Sequence, residues 1–458
     1  MVSRRFLRPI SLLLLFGTFV VSNSLRNCIS SQASSTCLGD TFPNSLCQNM
    51  MAREGNIILS ERQPRAQTRI GAYYYLWYGI PIPNDDNWNI SVVKGTPSLG
   101  YYNSSDPQIA EQHILLAKKH KIDFFAISWI GEGKWVDWIP GTPDHTWDFD
   151  EIDNNLQNGF LDPAEKENFT YCLFYETDIV LSNCIARQKN FTEIFLNDVA
   201  YASKQYFNRP TYLRIEGKPV LFIYDLPYLY GSNNNTVDVP GLFDTVRQQL
   251  IDDEGIYLIG DLWADRVSPG DVNSSYLYSL NATTNYLYSS TKERVRFGWD
   301  SVLENAATYY PEWRHEMNAK GIKFIPNAYP GYNNTNAVDA NDTVVLTPDA
   351  EKFREFCEIA ENNTNNELRI TMIASWNEWK EATTIEPSKE TNELFLDTLI
   401  SVILKFRAIG LDVSQAAGLF GVRSTDQHYD PSFDIDGDGR IDMKDIAPVA
   451  RYIGEHYP

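Results

Sequence analysis

Glu378 and Glu381 stand three residues apart in the run Ile373-Ala-Ser-Trp-Asn-Glu-Trp-Lys-Glu-Ala-Thr-Thr-Ile-Glu-Pro387. They follow directly on Leu368 to Ser375, an apolar, β-branched stretch that reads as a buried strand. Trp376, Asn377 and Trp379 surround them. Two carboxyls can divide the proton traffic at a glycosidic oxygen: one gives or takes a proton while the other activates a nucleophile. Indole faces pack on sugar rings. The spacing therefore points to chemistry on a saccharide.

Such a pair needs a scaffold. From Arg69 onward, short β-branched and aromatic runs recur at Ile70–Tyr75, Ile122–Ser128, Thr170–Tyr175, Pro219–Tyr224, Ile256–Asp261, Thr283–Tyr288, Ile322–Pro326 and Leu368–Ser375. Helical spacing separates most of them, at Asp106–His120, Phe191–Tyr206, Pro240–Asp253, Ser301–Lys320 and Thr347–Glu361, and Thr391–Ala408 reads as the last helix. Strands alternating with crossovers over this length predict an α/β fold, a (β/α)8 TIM barrel, with a small C-terminal α-helical calcium-binding module. A doubly wound open sheet is the competing architecture. No G-x-G-x-x-G or Walker-type loop follows the first strand, so a nucleotide cofactor has no support.

Reactive groups of a barrel sit at the C-terminal ends of its strands. That rule selects Tyr75, Trp77 and Tyr78 after strand one, Trp129 after strand two, and Glu176 with Asp178 after strand three. It adds Asp225, Asp261 and Trp263 after the next two strands, Tyr286 and Tyr288 on strand six, Asn327 and Tyr332 after strand seven, and Asn377, Glu378, Trp379 and Glu381 after strand eight. An aromatic residue taken singly is more often packing than binding. The convergence of aromatics and acids at one end describes a sugar-binding cleft.

The chain has 458 residues, with 39 basic against 60 acidic side chains and a formal charge of −21. That balance disfavours nucleic acid and anionic membranes and favours cations. Arg4, Arg5 and Arg8 precede a short apolar run, Ile10 to Val21, and small residues at Ser22 and Ser24, so residues 1–24 read as a secretion signal. The run is short for a bilayer span, and an uncleaved anchor is the alternative. Residues 25–65, rich in Ser, Asn and Gln, read as a flexible lead. Asn-x-Ser/Thr sites at Asn89, Asn103, Asn168, Asn190, Asn234, Asn273, Asn281, Asn333, Asn341 and Asn362 fit a secreted or cell-surface protein. The six cysteines form no metal-type pair; Cys172 and Cys184 are a local disulfide candidate, with buried free thiols the alternative.

Near the C-terminus, Asp434, Asp436, Asp438, Arg440 (through its carbonyl), Asp442 and Asp445 occupy positions one, three, five, seven, nine and twelve of a calcium loop. Gly439 permits the sharp turn and Ile441 packs inward. The expected cofactor is therefore structural Ca2+, with none for catalysis. Asp at position twelve, followed by Ile446 to Gly454, resembles a dockerin repeat, whose usual partner is a cohesin domain. Asp412–Gly421 is similar to the helix of a first repeat without its loop, so residues 409–458 read either as a cohesin-docking module or as a calcium cap.

Residues 66–408 resemble glycoside hydrolase family 99, the endo-α-mannosidase type. The resemblance rests on Tyr74-Tyr-Leu-Trp-Tyr-Gly79, Pro97–Asp106, Ala126-Ile-Ser-Trp129, Glu176, Phe222–Asp225, Phe324–Asn327 with Pro330-Gly-Tyr332, Asn377-Glu-Trp-Lys-Glu381 and Ile385-Glu-Pro387. It implies an endo-acting, retaining hydrolase of α-linked, mannose-containing glycans. Glu378 would draw the proton from the sugar 2-hydroxyl and Glu381 would act as acid, then base. Glu176 would bind substrate hydroxyls, with Tyr75, Tyr78, Trp129 and Tyr288 shaping the subsites. The chain departs from the family at Lys380 (His), at Ala382 (Gly), and at Asn333–Asn341, where an arginine-rich loop is expected. A non-hydrolytic carbohydrate-binding barrel, an α-1,3-glucanase on a related barrel and a cohesin-docked surface scaffold are the competing readings.

Overall fold

The computed structural model describes residues 68–79, 87–89, 91–132, 149–231, 237–250, 255–262, 269–271, 277, 279–288, 298–335, 343–408, 418–431 and 433–447. The expected signal (1–24), the lead (25–65), Trp263, and much of the segment joining the last barrel helix to the calcium loop lie outside them.

Parallel strands covered by helices are buried on both faces, so they read as unbroken apolar runs. Most of β1 (Arg69–Tyr74), β2 (Phe124–Trp129), β3 (Thr170–Tyr175), β4 (Lys218–Ile223), β5 (Tyr257–Asp261), β6 (Ala282–Thr284), β7 (Lys323–Ile325) and β8 (Ile370–Ile373) are built so, while β6 and β8 bury threonines as well. Consecutive strands pair in parallel from β1 through β7. Pro326 has no N–H to give to the ladder. The chain resumes beyond it at Asn327–Ala328, which pairs with β8 in the register Met372↔Asn327. Then β8 pairs with β1, Arg69↔Ile370, and the ring closes. The fold is a (β/α)8 barrel, and the open-sheet alternative is excluded.

Capping residues set the helix starts. The Asp106 carboxylate accepts from Gln108 N–H ahead of α1 (Pro107–Lys119). Elements α2 (Phe149–Asn155) and α3 (Leu161–Lys166) flank a π turn, Leu156–Phe160. Next come α4 (Thr177–Arg187), α5 (Phe191–Gln205, capped by Asn190), α6 (Leu226–Gly231) and α7 (Val239–Thr245, capped by Asp238). The last three are α8 (Trp299–Ala319), α9 (Ala350–Asn362, capped by Asp349) and α10 (Leu394–Ala408). Inside the ring Tyr73 packs against Phe174 and Tyr286, each with ring centroids 4.7 Å away.

Cys172, Cys184 and Cys357 are free and buried, so the Cys172–Cys184 bridge does not form. Cys172 is held in the middle of β3 by its register with Ala126, while Cys184 belongs to α4. Among the described residues no helix is long and apolar enough to cross a membrane. Toward the C-terminus, Gly421–Ser424 pairs with the acidic loop: Gly421 N–H donates to Ile441 O (2.7 Å) and Ile441 N–H to Val422 O (2.9 Å). Phe433 and Ile441 form its small core with Leu419, Tyr429 and Ile446. The Lys121 ammonium, at the end of α1, donates to the carbonyl of Asp436 and ties this loop to the barrel.

Candidate active site

Beyond β8 the chain folds back on itself. Trp376 N–H donates to Tyr73 O (2.7 Å), Ser375 N–H to Thr383 O (2.8 Å), and Glu386 N–H to Trp376 O (2.8 Å). The Ser375 hydroxyl accepts from Glu378 N–H at 2.8 Å and meets the Thr383 hydroxyl at 2.9 Å. The return is sharp enough that Ala382 takes a left-handed conformation, φ 56°. The two acids ride on the arc so formed.

Buried polar groups pin that arc to β1. Asn377 donates through Nδ2 to Tyr75 O (2.9 Å) and to the Tyr102 hydroxyl (3.1 Å), and its Oδ1 accepts from Tyr75 N–H (2.8 Å). The Tyr78 hydroxyl donates to Asn377 O (2.9 Å) and accepts from Trp379 N–H (3.0 Å). One carboxylate, Glu386, accepts from Tyr102 OH (2.8 Å), Trp379 Nε1 (2.9 Å) and His113 Nε2 (3.1 Å). His113 Nδ1 lies 3.0 Å from the Tyr74 hydroxyl, so the Nε2–H tautomer satisfies both contacts.

Electrostatics bring β1, β3, β6 and β8 to one place. Glu378 is buried, and burial pushes its carboxyl up to about 7, against the Lys380 ammonium and the N–H groups of Lys380 and Glu381. Glu381 is pushed up to about 8 by desolvation and then by the Glu378 charge, against a hydrogen bond from the Tyr332 hydroxyl. Glu176 is held well above the usual carboxylate range by burial, then by Asp178, and also by Glu378 and Glu381, against a 2.7 Å hydrogen bond from Ser128 Oγ. The Tyr75 and Tyr286 hydroxyls hydrogen-bond each other. Both phenols are raised, first by burial, and both feel Glu378 and Glu176. Trp77 stacks on Tyr75 with centroids 4.4 Å apart. Lys380 Nζ donates to Asn87 Oδ1 (2.5 Å), whose Nδ2 donates to Trp77 O (2.7 Å).

Of the residues expected to meet sugar, Tyr75, Trp77, Glu176 and Tyr332 lie with the two acids, and five others do not offer a face. Trp129 is fully buried: its Nε1–H donates to Asp153 Oδ1 (2.8 Å) and its ring lies against Tyr206, between barrel and helices. Tyr288 packs on Tyr310 of α8 at 4.9 Å. Tyr286, two residues earlier, reaches the acids instead. Tyr78, Asn377 and Trp379 are buried and act through the hydrogen bonds above, as positioning residues. Glu386, His113, Tyr102, Ser128 and Asn87 are additions. Glu386, Tyr102 and Ser128 carried a signal, as members of Ile385-Glu-Pro387, Pro97–Asp106 and Ala126-Ile-Ser-Trp129; His113 and Asn87 carried none.

In the acidic loop, carboxylate oxygens of Asp434, Asp436 and Asp445 lie within 4.8 Å of one another. Asp434 accepts from Gly439 N–H (2.8 Å), Asp445 from Asp442 N–H (2.7 Å), Asp438 from Arg440 N–H (3.0 Å) and Asp442 from Lys444 N–H (2.8 Å). Gly439 has φ 81°, as the turn requires. Hard carboxylate oxygens converging with a buried Asp434 suit a hard divalent cation.

A family model described as Glycosyl hydrolase family 99 matches residues 83–398. The chain is 23% identical over 374 residues to the glycoprotein endo-alpha-1,2-mannosidase of Mus musculus, spanning 74% of this chain and 72% of that protein. It is 23% identical over 373 residues to the human glycoprotein endo-alpha-1,2-mannosidase-like protein, spanning 73% and 72%. Among solved structures, the GH99 endo-alpha-mannosidase of Bacteroides thetaiotaomicron superposes with a TM-score of 0.53 at 20% identity, over 76% of this chain and 98% of that one.

Proposed function

The chain belongs to glycosyl hydrolase family 99 and is an endo-α-mannosidase-like glycoside hydrolase, and from that premise we propose that it is an exported, endo-acting, retaining enzyme on α-linked, mannose-containing glycans. Glu378, ionised, takes the proton of the sugar 2-hydroxyl as that oxygen attacks the anomeric carbon. Glu381, protonated, gives its proton to the departing glycosidic oxygen. In the second half Glu381 takes a proton from water as the water attacks the same carbon, and Glu378 returns its proton to the 2-oxygen. No ester to the enzyme forms, in contrast to the carboxylate-nucleophile route. Glu176 receives substrate hydroxyls; Tyr75, Trp77 and Tyr332 border the subsites.

The observation that supports this division of labour is the unequal pair. Burial raises both carboxyls; the Glu378 charge beside Glu381 raises it further and favours its protonated form, while the Lys380 ammonium beside Glu378 opposes the rise and favours its ionised form. The test is release of oligosaccharide from α-mannan and high-mannose glycans by the wild type and Glu381→Gln. Equal product from both on every α-glycan would refute the assignment. The same reading assigns one structural Ca2+ to Asp434, Asp436, Asp438, the Arg440 carbonyl, Asp442 and Asp445, and a cohesin-type partner to 409–458. Export rests on residues 1–24 and on exposed sequon asparagines such as Asn89, Asn103, Asn168 and Asn362.

A further inference from the structure

His120 caps the C-terminal end of α1, with only 2% of its side chain exposed. Its Nδ1 lies 2.9 Å from Leu116 O. A carbonyl only accepts, so the proton is on Nδ1 and Nε2 faces the other way. There Nε2 meets Glu393 Oε2 at 3.2 Å and Asp397 Oδ1 at 3.5 Å. Glu393 and Asp397 are four residues apart and share one face at the start of α10. The three ligand atoms lie within 4.8 Å of one another.

Bonds of about 2.0–2.1 Å at tetrahedral angles set ligand atoms about 3.3–3.4 Å apart. The two nitrogen–oxygen separations bracket that edge. A carbonyl holding the far ring nitrogen is also how metal-binding imidazoles are oriented. We propose that His120, Glu393 and Asp397 form a structural site for a divalent cation of the zinc class, which fastens the end of α1 to the start of α10. One imidazole and two carboxylates select such an ion over Ca2+, whose ligands are all oxygen. Solvent supplies the fourth position, since Asp397 is 70% exposed. The Lys119 ammonium also rests on Glu393 Oε2, but that side chain is 59% exposed on a flexible stem and yields the oxygen to a bound ion.

The experiment uses the full chain, stripped with EDTA and returned to excess Ca2+ so that the acidic C-terminal loop does not compete, then titrated with ZnCl2 in a calorimeter. The expected result is one equivalent of Zn2+ bound by the wild type and a higher Tm with Zn2+ present. Affinity should fall about tenfold or more in Asp397→Asn, and His120→Gln should lose the binding and the Tm shift. Should His120→Gln fail to fold, Asp397→Asn, at an exposed carboxylate, carries the test. Zn2+ uptake by the wild type no greater than by Asp397→Asn would overturn the proposal and leave an imidazolium ion pair in its place.

Discussion

Glu378 and Glu381 are the same residue type on one short arc, and their neighbours make them unequal. In the proposed mechanism the reactive form has Glu378 ionised and Glu381 protonated. With both groups raised and acting on each other, that form grows as pH rises through the pair's first apparent value and is lost as pH rises past the second. The expected kcat/KM profile is therefore a bell with its top between them, the limbs belonging to the coupled pair. Lys380 lowers Glu378, so Lys380→Met should move the acid limb to higher pH and leave the alkaline limb in place. Glu381→Gln should cost about 10²–10⁴ in kcat on a natural glycan, and less on an aryl glycoside, whose leaving oxygen needs no proton. A loss of equal size on both substrates would argue against Glu381 as the acid. At Ala382, φ 56° is a conformation that β-branched side chains avoid. Ala382→Val should lower stability by about 1–2 kcal/mol in urea unfolding.

Glu386 is the polar anchor of the return arc after β8. Three donors, Tyr102 OH, Trp379 Nε1 and His113 Nε2, end on its carboxylate in the interior. Glu386→Ala would strand them, and each buried unsatisfied donor costs about 1–3 kcal/mol. The expectation is a loss of several kcal/mol in chemical unfolding, with kcat/KM reduced in the fraction that stays folded. An unchanged unfolding midpoint would show that the network carries no weight. The same element occupies the polar atoms of Trp379 and Asn377, which are buried and hydrogen-bonded to Glu386, Tyr75 and Tyr102.

Barrel and C-terminal loop are linked through Lys121 and the Asp436 carbonyl, yet among the described residues the groups bonded to the two acids, Ser375, Lys380 and Tyr332, belong to the barrel. If the acidic loop holds the proposed Ca2+, its removal should therefore act on the module and leave catalysis alone. Treatment with EGTA should expose residues 418–447 to limited proteolysis while hydrolysis by the barrel continues at its previous rate. Asp434→Asn should behave like chelated wild type, because Asp434 is one of two buried carboxylates, with Asp445, on which the loop N–H groups converge. Loss of hydrolysis together with the module would mean that the cap supports the site.

The barrel strands were readable along the chain because most of them are apolar throughout, although the sixth, expected at Thr283–Tyr288, ends at Thr284, and the helices were readable from their apolar spacing. The Phe149–Lys166 stretch was not: a π turn shifts the helical period midway, so no single face persists. The acid pair was legible from its position after the eighth strand. What local pattern could not decide was which side chains turn inward. Trp129 ends β2 and Tyr288 lies in the turn beyond β6, yet both pack toward helices, while Tyr286 takes the place expected of Tyr288. That choice depends on the closure of the ring, and so does the inequality of the two acids, since burial, Lys380 and Tyr332 act across space and not along the chain.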